Sequence, residues 1–336
     1  KMSVVPSGTW MRVRMGLGLV HAFLWLVGVC HSTPLQWSAV QPFGDAPDAR
    51  FSHSSVTFKS SQGMVYIFGG FSGTSAIECS SDCTYFDDVW MFETAAQGWE
   101  ELSFKSASQT CSNASSTTPA KPSARAEHAM ASSITSALMC GGFNKNSSGS
   151  GIALLTETGT PTIECWWLTP APIARWTPLA RNTVSESPQA RFAHTLVFDQ
   201  DASTFVLFGG RDSSLSLLGD CWSMTVNDTL FSTPVYSYTY AWQPCSNASV
   251  STPASRYGHG SAIFRETLYV FAGFGSDGLN SVVPLDDMWS LSDYAGQGQW
   301  TQVLPTSAAP TARAYFGYWT SGFHLYVVGG EGVGGT

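Results

Sequence analysis

Charged residues are scarce in this chain, and their scarcity limits the partners that it can have. Only 12% of the 336 residues are charged, whereas 43% are hydrophobic and 13% aromatic. A chain of this composition can bury a large core, which argues against intrinsic disorder. The 16 Lys and Arg residues are scattered and are outnumbered by 24 Asp and Glu residues. Because no basic groove is visible, we expect no nucleic-acid partner.

Apolar runs long enough to span a membrane are also lacking. The N-terminal run "MGLGLVHAFLWLVGVC" has 16 residues, whereas a spanning helix needs about 20. It lies between "MRVR" and "HSTP", which is the order of regions in a secretory signal peptide. We predict that residues 1–32 are an overhang plus a signal peptide, with a buried core segment or an uncleaved anchor as alternatives. Residues 33–336 then form one domain, which is secreted or lumenal, and membrane contact requires an anchor in missing sequence.

Asparagine is scarce as well, yet most of it stands in one kind of motif. The chain has seven asparagines, and four of them begin N-x-S/T sequons. Sequons mark glycosylation sites in exported proteins, where disulfides also form. The chain has eight cysteines, of which Cys30 lies in the predicted signal. The predicted glycosylation sites are Asn113, Asn146, Asn227 and Asn247.

Helical periodicity is absent, and short strands bounded by glycine and proline take its place. Five apolar runs end on a glycine pair or a close variant: "VYIFGG", "ALMCGG", "FVLFGG", "LYVFAG" and "LYVVGG". A Pro-x-x-Arg block precedes each pair by about 20 residues, and an acidic residue followed by two spaced tryptophans comes after most pairs. We number the five repeat units by their arginines, which are Arg50, Arg125, Arg191, Arg256 and Arg313.

Each unit is predicted to contain four strands, named a to d. In unit one they are residues 53–58, 64–70, 88–93 and 98–102. Repeats of about 50 residues with four short strands are typical of propeller blades, which stack around an axis. The glycine pair allows strand b to turn out of the sheet with positive φ. The predicted fold class is therefore all-β, without helix beyond the N-terminal segment.

The combination of apolar run, glycine pair, aromatic strand c and second tryptophan resembles the kelch repeat, over residues 37–330. The resemblance implies a kelch-type β-propeller with four complete four-stranded blades and a partial fifth. Kelch propellers usually have six or seven blades, so we expect a propeller that is incomplete at the C-terminus. They commonly close with an N-terminal strand, which residues 37–40 match. The pattern departs from the family at Glu164, Ala272 and Phe316.

Histidine, arginine and aspartate recur at fixed positions of the repeat. Zinc ligands must lie within about 2.1 Å of one ion, and equivalent positions of successive blades are too far apart, so we expect no metal site. We predict histidines that form hydrogen bonds within a blade and arginines that form them between blades. Carboxylates at the start of strand c are expected to accept turn N–H groups rather than bind calcium. The histidines are His53, His128, His194 and His259, and the carboxylates are Asp87, Asp88, Asp220, Asp286 and Asp287.

Catalytic motifs are lacking. The sequence has no G-x-S-x-G, no H-E-x-x-H and no phosphate loop. Galactose oxidase holds copper on a kelch propeller, but we find no counterpart of its Tyr-Cys cross-link and additional histidines. We therefore assign no catalytic residue and no cofactor. A galactose-oxidase-like enzyme whose catalytic residues lie in missing C-terminal sequence is the alternative, and a cytosolic kelch adaptor is disfavoured by the signal, sequons and cysteines.

The predicted strand order pairs several cysteines. In an antiparallel sheet the end of strand b adjoins the start of strand c, which places Cys140 beside Cys165. The start of strand c adjoins the end of strand d, which places Cys221 beside Cys245. Buried free thiols are the alternative. The other disulfide candidates are Cys79 and Cys83, and the partner of Cys111 stays open.

These features favour a non-catalytic exported scaffold that binds a protein or a glycan. Antiparallel strands place the b–c and d–a loops on one face of a propeller, and these loops are the long ones here. We call this the long-loop face and expect the ligand to bind there. The candidate contact residues are Tyr85, Phe86, Arg211, Asp212 and Asp277.

Overall fold

The structure is a computed structural model in which only strands, turns and irregular segments occur among the described residues. Within them, no helix has the length and apolar character needed to cross a membrane. Backbone alone is described for residues 3–4, 11–14, 145, 152–154, 180–181 and 238–240. The other described residues are 42, 44–58, 63–73, 84–104, 121–144, 163–170, 174–179, 186–225, 241–245, 251–278, 281–294, 296, 298–306, 309–321 and 324–332.

The strands alternate between those that build blades and short hairpin strands in the loops. Up to the end of unit two they are β1 (Ser3–Val4), β2 (Met11–Arg14), β3 (Ser54–Thr57), β4 (Met64–Phe68), β5 (Phe71–Ser72), β6 (Thr84–Tyr85), β7 (Val89–Glu93), β8 (Gly98–Glu101), β9 (Ala129–Ser132), β10 (Ala137–Cys140), β11 (Phe143–Lys145), β12 (Ile152–Leu154), β13 (Cys165–Thr169) and β14 (Arg175–Arg181).

Units three to five continue the same order. Their strands are β15 (Thr195–Asp199), β16 (Thr204–Arg211), β17 (Leu217–Thr225), β18 (Tyr238–Tyr240), β19 (Gln243–Pro244), β20 (Arg256–Tyr257), β21 (Gly260–Phe264), β22 (Thr267–Phe271), β23 (Phe274–Ser276), β24 (Val282–Pro284), β25 (Met288–Ser292), β26 (Trp300–Gln302), β27 (Arg313–Ala314), β28 (Gly317–Ser321), β29 (His324–Val328) and β30 (Glu331–Gly332).

Each of the first four units folds into an antiparallel sheet in the order a-b-c-d, as predicted. The sheets are β3-β4-β7-β8, β9-β10-β13-β14, β15-β16-β17-β19 and β21-β22-β25-β26. Unit five contributes β28 and β29. The core lies between neighbouring blades: Leu138 and Trp167 of unit two form one buried cluster with Leu207 and Trp242 of unit three. A sheet that is apolar on both faces requires such stacking, so the fold is a kelch-type β-propeller.

Two blades contain strands from unexpected parts of the chain. Strand β2 pairs antiparallel with β29 of unit five, although we had placed residues 1–32 outside the fold. Strand β18, which lies between strands c and d of unit three in the sequence, pairs parallel with β14 of unit two. Exposed sheet edges present unpaired N–H and C=O groups, which explains why both segments add as edge strands. The predicted closing strand, residues 37–40, lies outside the described residues.

Candidate binding site at the channel mouth

The glycine pairs bring the units into close contact. Both glycines of unit two have positive φ, 66° at Gly141 and 89° at Gly142. A Cβ on Gly141 would lie 2.6 Å from the carbonyl oxygen of Arg191 in unit three, and one on Gly142 would lie 2.8 Å from that of Ala126 in its own unit. Glycine adopts this backbone and allows this proximity without strain, although unit four has Ala272, with a φ of 56°, at the first position. The pair therefore joins strand b both to its own unit and to the next one.

Five residues form what we call the inner ring, one from each unit, directly before the repeated histidine position. All have φ between 51° and 59°. Each ring residue after the first donates its backbone N–H to the carbonyl of the ring residue one unit earlier, at 2.8–3.1 Å. These backbone hydrogen bonds fix the direction in which the inner-ring residues present their side chains to the channel. The inner ring consists of Ser52, Glu127, Ala193, Gly258 and Tyr315.

The inner ring surrounds a cavity of about 730 Å³, which we call the channel mouth. Two of its aromatic side chains are well exposed, Phe51 at 54% and Tyr315 at 46%. Exposed aromatic rings in a cavity are typical of recognition sites. The lining residues are Phe51, Ser52, His53, Phe71, Glu127, His128, Ala193, His194, Gly258, His259, Tyr315, Phe316 and Glu331.

Glu127 is a partly buried acidic residue that lines the channel mouth. Burial raises the pKa of its carboxyl from 4.5 to about 7, although a hydrogen bond from Tyr315 and the charge of Arg211 act in the opposite direction. The Tyr315 hydroxyl donates to Glu127 Oε2 at 3.4 Å, across the mouth from unit five to unit two. Desolvation of the hydroxyl, followed by the charge of Glu127, raises the pKa of Tyr315, whose ring remains exposed. A carboxyl that is about half ionised near neutral pH therefore faces the cavity.

Several aromatic side chains lie around Glu127 and Tyr315. The Arg211 guanidinium lies 4.5 Å from the ring centroid of Tyr257, and the Tyr257 and Tyr315 rings are 6.0 Å apart. Tyr85 lies 6.1 Å from Phe143, and burial followed by the charge of Glu127 raises the pKa of Tyr85. The structure thus brings two of the predicted contact residues, Tyr85 and Arg211, next to the channel mouth.

The other three predicted contact residues have visible structural roles. Phe86 lies under the Arg50 guanidinium, 4.0 Å from its ring centroid. The Asp212 carboxylate accepts the backbone N–H groups of residues 214 and 216 at 2.8 and 2.9 Å. The Asp277 carboxylate accepts the N–H of Ser281 at 3.1 Å. Both aspartates thus stabilise turns in the loops of the long-loop face.

The predicted partners of the repeated histidines were wrong, because these side chains bridge blades. His128 Nε2 lies 2.6 Å from the Ser54 hydroxyl of unit one, and His259 Nε2 lies 2.9 Å from the Thr195 hydroxyl of unit three. The pKa values of both histidines are lowered, chiefly by burial. They are therefore neutral side chains that join adjacent units.

The repeated arginines form hydrogen bonds between units through their backbone, since the carbonyl of Arg191 accepts the N–H of Gly142 at 3.0 Å. Their side chains instead bind within a unit. Arg191 donates to both carboxylate oxygens of Asp220, at 2.6 and 2.7 Å, and the same carboxylate accepts the Trp222 indole N–H at 2.6 Å. Units one and four repeat this arrangement with Asp88 and Asp287. These repeated carboxylates bind arginine and tryptophan side chains rather than turn N–H groups.

Asp87, the acidic residue that precedes Asp88, forms a 3.1 Å ion pair with Lys121 instead. No group of three or more His, Cys, Asp or Glu suited to a metal ion occurs among the described residues.

The cysteine pairs that the strand order predicted lie at disulfide distance. The Cα atoms of Cys140 and Cys165 are 4.2 Å apart, and those of Cys221 and Cys245 are 5.2 Å apart. Each disulfide links neighbouring strands of one blade, and both fit an oxidising compartment. The other predicted cysteines and all four sequon asparagines lie outside the described residues; they are Cys79, Cys83, Asn113, Asn146, Asn227 and Asn247.

Sequence reasoning missed Glu127 and Tyr315 because it compared what the units share. Their position holds Ser, Glu, Ala, Gly and Tyr in units one to five, between a repeated arginine and a repeated histidine or phenylalanine. A varying residue between fixed ones was the available signal. Binding specificity is carried by such positions when a scaffold is shared.

Comparison with known proteins agrees with the fold. Acyl-CoA-binding domain-containing proteins 4 and 5 of Arabidopsis thaliana are each 24% identical to the chain over 295 residues, or 88% of it. The chain spans only 37% and 38% of the length of these two relatives. Kelch domain-containing protein 3 of Bos taurus is 26% identical over 165 residues, which is 47% of this chain and 38% of that protein.

A solved structure and a family model extend this comparison. The structure of YjhT superposes with a TM-score of 0.60 at 16% identity, covering 91% of this chain and 83% of that one, which shows the fold alone. The model of the KLHDC2/KLHL20/DRC7 Kelch-repeats domain matches residues 155–335, more than half of the chain. The chain belongs to the kelch-repeat family.

Proposed function

We propose that this kelch propeller is a non-catalytic, exported scaffold that binds a protein or glycan ligand on its long-loop face, centred on the channel mouth. The observation that carries the proposal is the pair of exposed aromatic residues, Phe51 and Tyr315, at a cavity of about 730 Å³. Aromatic side chains supply much of the binding energy in protein interfaces. The propeller fold itself supports a protein-binding role.

Export is supported by the cysteine pairs and the sequons. Disulfides form and persist mainly in oxidising environments, so the pairs Cys140–Cys165 and Cys221–Cys245 favour such a compartment. Strand β2 lies in the segment that a signal peptidase would remove, so cleavage would also remove its pairing with β29. If the protein is exported, unit five of the mature chain must therefore fold without strand β2.

Expression in a eukaryotic secretory host tests this part of the proposal. The secreted product is expected to begin near residues 31–34, to lose mass on treatment with N-glycosidase, and to yield peptides with Cys140 linked to Cys165 when mapped without reduction. An intracellular product that keeps Met11 and lacks both glycans and disulfides would refute export.

The binding part is tested on an array of glycans and extracellular protein domains. Tyr315→Ser is expected to abolish ligand binding because it removes an exposed ring of the channel mouth. Ile134→Ser is the matched control, since Ile134 is also 46% exposed but lies in the a–b turn on the opposite face. Equal loss from both variants, or from Ile134→Ser alone, would place the ligand elsewhere.

A further inference from the structure

The lining of the channel mouth is acidic without a matching base. Among its thirteen residues are two carboxylates, Glu127 and Glu331, and neither lysine nor arginine. The lining also contains histidines, whose pKa values are lowered chiefly by burial, so they remain uncharged at neutral pH. The cavity therefore has a negative charge that its own lining does not neutralise.

The cation whose charge acts on Glu127 is Arg211, and its side chain is held to one side of the cavity. Arg211 donates to the carbonyl oxygen of Leu215 at 3.1 Å and lies over the Tyr257 ring. Its charge acts on Glu127, but its side chain is not part of the cavity lining. One guanidinium can balance only one of the two carboxylates, so the site is net negative when Glu127 is ionised.

The lining of the channel mouth suits a cationic ligand group better than an anionic or a neutral one. The face of an aromatic ring attracts ammonium and guanidinium groups within about 6 Å of its centroid. Phe51, Phe71 and Tyr315 supply rings around Glu127 and Glu331. An anionic ligand would instead meet two carboxylates in a partly desolvated cavity, where like charges repel strongly.

We propose that the channel mouth binds an organic ammonium group, with the cation at the Glu127 carboxylate and over the ring of Tyr315. The group belongs to a lysine side chain of a protein ligand or to a small free amine. This inference rests on the proposed function, because it states the chemistry of a ligand for the same face. A volume of about 730 Å³ accommodates a lysine side chain with its neighbouring residues.

Titration calorimetry of the full chain with two pairs of probes tests the inference. The first pair is a lysine-containing pentapeptide and the same peptide with the lysine acetylated, and the second is spermidine and its fully acetylated form. Acetylation removes the positive charge of each probe amine and leaves the rest of the probe unchanged. We expect the charged member of at least one pair to bind, and the acetylated member to bind at least tenfold more weakly. The pair that responds identifies the source of the ammonium group.

Variants then locate the site. Glu127→Gln keeps the shape of the side chain and is expected to weaken binding of the charged probe about tenfold. Glu100→Gln is the matched control, because it removes the same charge from strand β8, far from the channel mouth. We expect this substitution to leave the affinity for the charged probe unchanged. Tyr315→Leu removes the ring and is expected to weaken binding as well, which provides a second test if Glu127→Gln fails to fold.

Two results would overturn the inference. One is that no charged probe binds, or that the acetylated probes bind equally well. The other is that folded Glu127→Gln and Tyr315→Leu proteins bind the charged probe as the unmodified chain does. Neither result affects the array experiment, in which a ligand of other chemistry can still bind the long-loop face. Loss of array binding with intact ammonium binding would in turn refute only the proposed scaffold function.

Discussion

The hydroxyl of Thr195 lies 2.9 Å from Nε2 of His259, and this contact joins the innermost strand of unit three to unit four. Ser54 and His128 make the same contact between units one and two. The contact is missing between units two and three, because Ala129 occupies the hydroxyl position and both ring nitrogens of His194 are buried without a partner.

The imidazole of His194 is nevertheless in the repeat position. A Cβ on Gly141 would lie 2.9 Å from His194 Cε1, and a Cβ on Gly209 would lie 2.9 Å from His259 Cε1. Ala129→Ser should therefore place a hydroxyl beside His194 Nε2. We expect the free energy of unfolding to rise by about 1 kcal/mol, since a buried polar atom gains a hydrogen bond.

Urea denaturation at neutral pH measures this change. Ala131→Ser is the control, because Ala131 lies on the same strand, is buried in the same cluster and has no repeat histidine opposite it. We expect it to lower the free energy of unfolding by about 1 kcal/mol as a buried hydroxyl. Stabilisation by Ala131→Ser equal to that by Ala129→Ser would show that the histidine is not the cause.

The carboxylate position of unit two offers a second prediction. Glu164 accepts one hydrogen bond from Arg125, at 2.6 Å, where the aspartates of other units accept two from their arginines. The indole N–H of Trp166 is buried without a partner. Glu164→Asp is expected to raise the free energy of unfolding by about 1 kcal/mol, because the shorter side chain can pair with both groups.

The reciprocal change in unit four is the control. Asp287 pairs with both Arg256 and Trp289, so Asp287→Glu is expected to lower the free energy of unfolding by about 1 kcal/mol. Denaturation of both variants in parallel decides the matter. Opposite signs support the geometric argument, whereas destabilisation by both variants would show that unit two has adapted to its glutamate.

Most of the fold could be predicted because its determinants are local. Gly141 and Gly142 need positive φ, and a strand that ends on such a pair is recognisable in any unit. Strand β18 could not be predicted, since its parallel pairing with β14 depends on a sheet edge that is distant in sequence. Local patterns do not encode which free edge an extended segment finds.

The site was less predictable than the fold. Tyr85 and Arg211 are predicted contact residues because they lie in loops of the long-loop face, and both lie next to the channel mouth. Glu127 and Tyr315 escaped selection because they are 188 residues apart and meet only when unit five stands across from unit two. Their contact depends on blade number and spacing, which the repeat pattern of a single unit does not specify.

The buried histidines and Glu127 predict a pH dependence of stability. The pKa of His194 is lowered from 6.5 to about 3 by burial, so the unfolded chain binds this proton first. Its contribution to stability is fully present above pH 6.5 and is lost as the pH falls towards 3. Glu127 acts oppositely: its pKa is raised from 4.5 to about 7, so its contribution is present below pH 4.5 and is lost as the pH rises through 7.

Because His128 and His259 shift in the same direction as His194, we expect the free energy of unfolding to rise with pH between 4.5 and 6.5. Each proton contributes a slope of about 1.4 kcal/mol per pH unit at most. His194→Phe, which copies Phe316 of unit five, should reduce the slope, and Glu127→Gln should increase it. Denaturation curves at five pH values measure the slopes, and unchanged slopes in both variants would refute the assignment.

A buried carboxylate provides the last prediction. Asp199, in unit three, is 4% exposed and Tyr294, in unit four, is 2% exposed, and the tyrosine hydroxyl donates to Asp199 Oδ2. The other oxygen accepts the N–H groups of Asp201 and Ala202. Tyr294 thus satisfies an acceptor that belongs to the neighbouring blade. The cost of leaving such an acceptor without its donor is about 2 kcal/mol.

Tyr294→Phe is therefore expected to lower the free energy of unfolding by about 2 kcal/mol, because it removes the donor and keeps the ring. Tyr269→Phe is the matched control in the same blade: Tyr269 is partly buried, and we expect a change within about 0.5 kcal/mol. Guanidinium denaturation of both variants gives the comparison. If the two substitutions cost the same, the Tyr294 hydroxyl contributes nothing specific to the contact between units three and four.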